Sequence, residues 1–145
     1  MTLLGSTKKN KNMKYLSDYM KEKQNKLFKD NKCFFAFSIK QMEDSLFKTQ
    51  QSKKDIVSLG SGMFCPRENA KFVVNQLDKI YKQSIKQDLK ENGKEGVIYR
   101  ELCNHECFYI SDYTECVDKL IDYPITNKEI ENVYFKHYQR EISKF

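Results

Sequence analysis

The chain has 145 residues, a length that suits a domain with one hydrophobic core, and its 39% hydrophobic and 13% aromatic residues exclude a wholly disordered chain. The net charge of +6 is concentrated in residues 1–32, which hold nine Lys and three acidic residues, whereas residues 33–145 hold basic and acidic residues in equal number. The composition therefore predicts a neutral globular part behind a basic arm.

The first third of the chain predicts two helices around a short strand. Residues 1–12 lack periodicity and are predicted to form a disordered basic arm, whereas residues 14–29 carry apolar side chains at helical spacing. The run 33–37 is typical of a buried strand, and we assign its Phe side chains to the core rather than to base stacking, because no Lys or Arg is interleaved. Ser38 and Gln41 form a capping-box pattern for a helix to about residue 48. The predicted inner face of that helix comprises Met42, Leu46 and Phe47.

A β-hairpin is predicted next. Residues 55–59 and 63–65 read as strands, and the Gly60-Ser61-Gly62 turn joins them. A glycine-rich turn can also bind a phosphate through its backbone N–H groups. We favour the hairpin, because no Gly-Lys-Ser/Thr sequence follows the turn.

A long amphipathic helix is predicted after the hairpin. Its apolar stripe runs from Ala70 to Leu89, Pro66 suits its start, and Asn92-Gly93 signals its end. Residues 96–104 predict a short helix, and residues 105–110 predict an extended return strand.

Two further capping boxes predict the remaining helices. Asp112 pairs with Glu115 in the first box, and Thr126 pairs with Glu129 in the second. The elements together predict a helix-rich α+β fold with a small antiparallel sheet of three or four short strands.

The five cysteines predict a reducing compartment, because their number is odd, no two form a CxxC pair and no secretory leader is apparent. No run approaches the roughly eighteen apolar residues that a membrane-spanning helix requires. We therefore predict a cytoplasmic protein with a disordered basic arm at residues 1–12 and a single α+β domain at residues 13–145.

The densest group of polar side chains, at residues 101–107, overlaps the start of the predicted return strand. If this segment is extended, Cys103, His105 and Cys107 share one face and could begin a zinc site; if it is helical, His105 points away. Asn104, His105 and Glu106 are the candidates for a catalytic site, with Asn104 as the orienting residue. A hydrogen-bonded junction between a helix and a strand explains the same residues, and we favour it. No cofactor is expected.

The arm is the candidate nucleic-acid contact. Lys8, Lys9, Lys11 and Lys14 could neutralise phosphate groups, and such binding weakens steeply with salt. The alternative is a solvated tail, which we favour.

Three segments between Tyr15 and Leu120 are distinctive as a set: the strand FFAFS with the helix after it, the hairpin IVSLGSGMF, and the segment ELCNHECFYISDYTECVDKL. Together they resemble a family of small uncharacterised proteins of tailed phages and mobile elements in low-GC bacteria. The resemblance implies an origin in a mobile element and no known activity. It keeps the triplet at residues 104–106 as the leading candidate patch and does not extend to the cysteines.

These observations favour a non-enzymatic accessory protein that binds a host macromolecule, above all a host protein, in a regulatory or counter-defence role. The alternatives are nucleic-acid binding through the arm and a small enzyme centred on His105 and Glu106. A homo-oligomer also stays open, because an amphipathic helix precedes the apolar Phe145.

Overall fold

The computed structural model describes residues 13–145, so the predicted arm lies outside the described residues. Two short 3₁₀ turns lie at Lys53–Asp55 and Arg67–Asn69. The elements in chain order are α1 (Leu16–Asp30), β1 (Phe34–Phe35), α2 (Ile39–Thr49), β2 (Ile56–Gly60), β3 (Met63–Pro66), α3 (Ala70–Asn104), α4 (Cys107–Ile110), α5 (Thr114–Lys119) and α6 (Asn127–Ile142). The predicted helix-rich α+β fold is confirmed.

The described chain forms two compact units, which we call unit 1, ending at Ser84, and unit 2, comprising Ile85–Phe145. The boundary falls inside α3. The residues predicted as a single domain thus comprise two units. None of the helices in residues 13–145 is long and apolar enough to cross a membrane.

Unit 1 contains a three-stranded antiparallel sheet in the order β1-β3-β2. Phe34 pairs with Phe64, and Val57 pairs with Cys65. The turn between β2 and β3 has positive φ at each of Gly60–Gly62, a conformation that glycine adopts without steric cost. The sequence prediction of a hairpin at this turn is therefore confirmed.

The core of unit 1 joins three elements. Leu27 of α1, Cys65 of β3, and Val73 and Ile80 of α3 form one buried cluster, in which Cys65 and Val73 are fully buried. Burial of an aliphatic side chain of this size contributes about 1.5–3 kcal/mol. This cluster fixes the sheet against α1 and the first turns of α3.

Unit 2 buries the last turns of α3 together with α4, α5 and α6. Ile98 and Leu102 of α3 are almost fully buried, as is Ile130 of α6. The rings of Phe108 and Tyr134 stack with their centroids 5.3 Å apart. These contacts hold the segment around residues 104–106 at the edge of a packed core.

The predicted return strand at residues 105–110 is wrong. The N–H groups of His105 and Glu106 donate to the carbonyl groups of Glu101 and Cys103, which ends α3 in a turn. Residues Cys107–Ile110 then form α4. Because these backbone groups are bonded locally, they cannot pair with a neighbouring strand.

The helix boundaries agree with the prediction in part. Gly93 has non-helical backbone angles (φ 72°, ψ 161°) and divides α3 into two helical segments, as expected from the predicted end at Asn92-Gly93 and the predicted short helix at residues 96–104. The predicted capping box of Asp112 with Glu115 is wrong. Asp112 Oδ1 instead accepts from the backbone N–H and the hydroxyl of Thr114, the first residue of α5. The Thr126 capping box is confirmed.

Candidate functional site

The triplet Asn104-His105-Glu106 lies where α3 ends. Asn104 is the last residue of α3 and is exposed, while Glu106 adopts the left-handed conformation at φ 54°. His105 is turned inward, with its side chain 24% exposed. The three side chains therefore occupy different environments.

Two carboxylates flank His105. Its Nε2 lies 3.4 Å from Glu101 Oε1, and its Nδ1 lies 3.4 Å from Glu115 Oε2. Nε2 and Glu101 Oε1 are both buried and take part in no hydrogen bond. The imidazole ring of His105 therefore lies between a carboxylate of α3 and a carboxylate of α5.

Behind His105 lies a buried ionic network that the sequence analysis missed. Glu101 Oε2 accepts from Arg100 Nε at 2.7 Å, and the Arg100 Nη1 and Nη2 groups donate to Asp88 Oδ1 and Oδ2 at 2.7 and 2.9 Å. The side chains of Asp88, Arg100 and Glu101 are at most 3% exposed. His105 is thus the solvent-side end of a chain of buried charges.

Asp88 is the most heavily bonded member of this network. It also accepts from the Tyr123 hydroxyl at 2.5 Å and from Asn92 Nδ2 at 2.7 Å. Burial alone would raise the pKa of Asp88, but the hydrogen bonds from Arg100, Tyr123 and Asn92 hold it below its ordinary value. Asp88 is therefore an ionised carboxylate in the interior of unit 2.

A cleft of about 400 Å³ opens beside the triplet. Of the triplet, only Glu106 contributes to the wall of this cleft. The lining residues are Leu102, Cys103, Glu106, Phe108, Tyr109, Glu141 and Phe145. The three candidate catalytic side chains therefore do not converge on this cavity.

Glu141 supplies a buried carboxylate to the cleft. Its side chain is 8% exposed, and its Oε2 accepts from the Tyr99 hydroxyl, Lys144 Nζ and Arg140 Nε at 2.9, 3.0 and 3.3 Å. Although burial raises the pKa of Glu141, the bonds from Lys144 and Tyr99 lower it below its ordinary value overall. Burial raises the pKa of the neighbouring Cys103 thiol, so the cleft combines an anion with a neutral thiol.

The zinc-site geometry considered for Cys103, His105 and Cys107 is not adopted. Cys103 belongs to α3 and the fully buried Cys107 to α4, so the three residues do not form one extended face. Across residues 13–145, no group of three His, Cys, Asp or Glu side chains is placed to hold a metal ion.

A family model described as a family of unknown function, DUF7659, matches residues 16–140. The chain belongs to the DUF7659 family. The comparisons with curated proteins and with solved structures gave no match. The DUF7659 match includes the triplet and the buried network but stops before Glu141 and Phe145 of the cleft.

The DUF7659 region also contains a set of exposed apolar side chains in unit 1, which we call the apolar surface. It comprises Phe37, Ile39 and Phe47, which are 72%, 80% and 85% exposed. Phe35 is half-exposed as well. The assignment of Phe35 and Phe37 to the core is therefore wrong, as is the assignment of Phe47 to the inner face of α2.

The exposure of α2 follows from the width of its apolar arc. At about 100° per residue, the arc from Met42 to Phe47 covers about 140°. Met42 and Leu46 are half-buried at one edge of the arc, while Ile39 and Phe47 face solvent. No residue of α2 is fully buried, so its neighbours cover only part of the apolar face.

Phe37 is held in place although it is exposed. Gly62 (φ +80°) lies directly under its ring, since a Cβ atom there would be 2.2 Å from Phe37 Cε1. The Phe37 N–H donates to Gln41 Oε1 at 2.7 Å, and Ser38 Oγ accepts from the Gln41 N–H at 3.2 Å. The predicted cap of α2 thus forms, and its reciprocal bond goes to Phe37 rather than to Ser38.

The net charge divides between the units. Residues 13–84 hold fourteen basic and eight acidic residues, a net charge of +6, whereas residues 85–145 hold nine basic and twelve acidic residues, a net charge of −3. Lys40 and Lys48 of α2 are exposed. Lys14 Nζ lies 5.4 Å from the centre of the Tyr19 ring, while the other predicted phosphate contacts (Lys8, Lys9 and Lys11) lie outside the described residues.

Proposed function

We propose that this protein is an accessory protein of a phage or mobile element that binds a protein partner through the apolar surface, in the cytoplasm of a bacterial host. The observation that carries the proposal is the exposure of Phe37, Ile39 and Phe47 by 72–85% within one short segment. Isolated exposed apolar residues are common, but a group of them marks an interaction surface. The resemblance of the FFAFS, hairpin and ELCNHE segments to phage and mobile-element proteins supports the origin.

The apolar surface has the properties of a binding hot spot. Burying one Phe or Ile side chain against a partner contributes about 1.5–3 kcal/mol. Phe37 is already ordered by Gly62 and Gln41, so its immobilisation adds little entropic cost to association. Three such side chains are enough to anchor a specific complex.

The charge of unit 1 selects an acidic partner. Residues 13–84 carry a net charge of +6, and exposed Lys40 lies at one edge of the apolar arc of α2. Complementary charge around an apolar centre speeds association and disfavours basic partners. The expected partner is a protein with an apolar site bordered by Asp and Glu.

The test is capture of partners from a lysate of the host bacterium by the tagged full chain, with and without nuclease. Phe47→Ser and Ile39→Ser remove parts of the apolar surface, and Ile121→Ser is the matched control, since Ile121 is an exposed residue of unit 2. We expect one acidic protein at fixed stoichiometry that survives nuclease, is lost with both surface variants and is retained by the control. Retention by all three variants would refute the assignment of the surface.

A second candidate function is single-stranded nucleic-acid binding, which the positive charge of unit 1 and the exposed rings of Phe35 and Phe37 favour. Bases stack on exposed aromatic rings while Lys side chains contact the phosphates. This function predicts that affinity for a fluorescent oligonucleotide falls steeply with salt and is lost when residues 1–12 are deleted. Loss of every captured partner on nuclease treatment would favour it over a protein partner.

A further inference from the structure

We propose that the cleft of unit 2 binds a small organic cation, a protonated amine that carries an apolar group. This ligand site is separate from the apolar surface and goes beyond the proposed protein partner. The volume of about 400 Å³ falls within the range of about 300–1,000 Å³ that is typical of small-molecule sites. Part of the cleft lining is apolar, because it is formed by the almost fully buried side chains of Leu102 and Phe108.

The acceptor for the ammonium group is Glu141. Its three donors all contact Oε2, and no described residue donates to Oε1. A carboxylate oxygen in a side chain that is 8% exposed loses most of its hydration, so it gains from a charged donor supplied by a ligand. Glu141 thus offers one strong, unused acceptor in the wall of the cleft.

A second carboxylate lies in the wall of the cleft. Glu106 is exposed and lines the same cleft, held by its left-handed backbone at the end of α3. Lys144 and Arg140 both bind Glu141 Oε2, so these two cations balance the two carboxylates, and the preference for an ammonium group rests on Glu141 Oε1. The expected ligand therefore presents one protonated amine to Oε1 and carries no second charge.

The apolar part of the ligand is bound by aromatic rings. Tyr109 and Phe145 meet edge to face with their centroids 5.1 Å apart, and both side chains are largely exposed. The faces of such rings attract both apolar groups and organic cations. An arylalkylamine matches these walls, whereas an inorganic cation would leave them unused.

The experiment is a titration of the full chain with 2-phenylethylammonium, and separately with 3-phenylpropanoate as its oppositely charged counterpart. Binding is measured from the chemical shifts of the backbone amides in NMR spectra. We expect the ammonium probe to shift the amides near Tyr109 and Glu141 and to bind about tenfold or more tightly than the carboxylate probe, because only the ammonium forms a charge-assisted hydrogen bond with Glu141. Equal affinity for the two probes, or no binding of the ammonium, would overturn the proposal.

Variants locate the site. Glu141→Gln is expected to weaken binding of the ammonium probe by about tenfold, and Glu106→Gln and Tyr109→Ser by several-fold, while Ile121→Ser leaves it unchanged. If Glu141→Gln does not fold, Glu106→Gln and Tyr109→Ser still decide, because both side chains are exposed. Unchanged affinity in both of these variants would place the probe elsewhere and refute the site.

Discussion

Replacing Arg100 with Leu is expected to destabilise the fold severely. The substitution removes two bonds to Asp88 (2.7 and 2.9 Å) and one to Glu101 (2.7 Å), and it leaves two buried carboxylates without their cation. Breaking a buried ion pair by deleting one partner costs about 3–5 kcal/mol. Because a domain is stable by only about 5–15 kcal/mol, this loss is about a fifth or more of the total.

The loss should depend on pH in a defined direction. In the native chain, burial opposes ionisation of Asp88, but Arg100 and its other donors hold the pKa below the ordinary value. This contribution to stability is present at neutral pH and disappears as the pH falls through the lowered folded-state pKa. Without Arg100, burial is less opposed, so we expect the pKa of Asp88 to rise above its unfolded value of about 3.9. Protonation then relieves the buried charge, and the variant loses less stability under mildly acidic conditions than at neutral pH.

Urea unfolding at about pH 7 and at about pH 5, monitored by circular dichroism, measures both effects. Lys128→Ala is the control, because it removes an exposed pair with Glu131 at 2.8 Å and should not change stability measurably. Two results would contradict the assignment of a buried network: an Arg100→Leu loss no larger than that of the control, or a loss that does not shrink at the lower pH.

Three further predictions test other features of the structure. Gly62→Ala should lower the free energy of unfolding in urea by about 1–2 kcal/mol, because Ala is strained at φ +80°. The added Cβ should also move the Phe37 ring and so weaken capture of the partner. Unchanged capture would show that the position of the ring does not matter. Thr126→Ala should cost about 1 kcal/mol of unfolding free energy, since the N–H of Glu129 loses its acceptor, and Thr126→Ser should restore most of it. Burial raises the pKa of Cys116 to about 12, so iodoacetamide should label Cys116 in urea but not in the folded chain at about pH 8, which peptide mass spectrometry can follow.

The sequence predicts those elements whose signals are local. Ser38 and Thr126 accept N–H groups only three residues away, and the turn at Gly60–Gly62 needs positive φ at successive positions. Such interactions form within one turn of backbone and do not depend on distant residues. For this reason α2, α6 and the β2-β3 hairpin agree with their predictions.

The failures occur where a side chain has a partner far along the chain. Glu115 looks like the second half of a capping box with Asp112, but its carboxylate instead approaches His105, ten residues earlier. Asp88 and Arg100 are twelve residues apart, and each alone resembles a surface charge. A signal was present nevertheless: Ile80, Ser84 and Asp88 follow one another at four-residue spacing, so Asp88 continues the buried face of α3.

The triplet at residues 104–106 was identified by its density of polar groups, and the network explains that density in part. His105 lies against buried Glu101, whose other oxygen is bound by Arg100. His105 thus lies at the end of an ionic chain, a structural position that requires no substrate. The functional content of the segment therefore rests on Glu106, the one member that reaches the cleft.

The apolar surface could not be read from the sequence, because exposure is decided by the neighbours of a segment and not by the segment itself. The run FFAFS has the composition of a buried strand, yet β1 contains only Phe34 and Phe35, and Ala36 is the buried residue after it. The apolar arc of α2 would suit a helix covered on a wide face, but its neighbours leave Ile39 and Phe47 in solvent. Phe37 nevertheless has its N–H bonded to Gln41 and its ring seated over Gly62. A ring that is seated on the backbone and yet exposed is the feature expected of the proposed protein-binding surface.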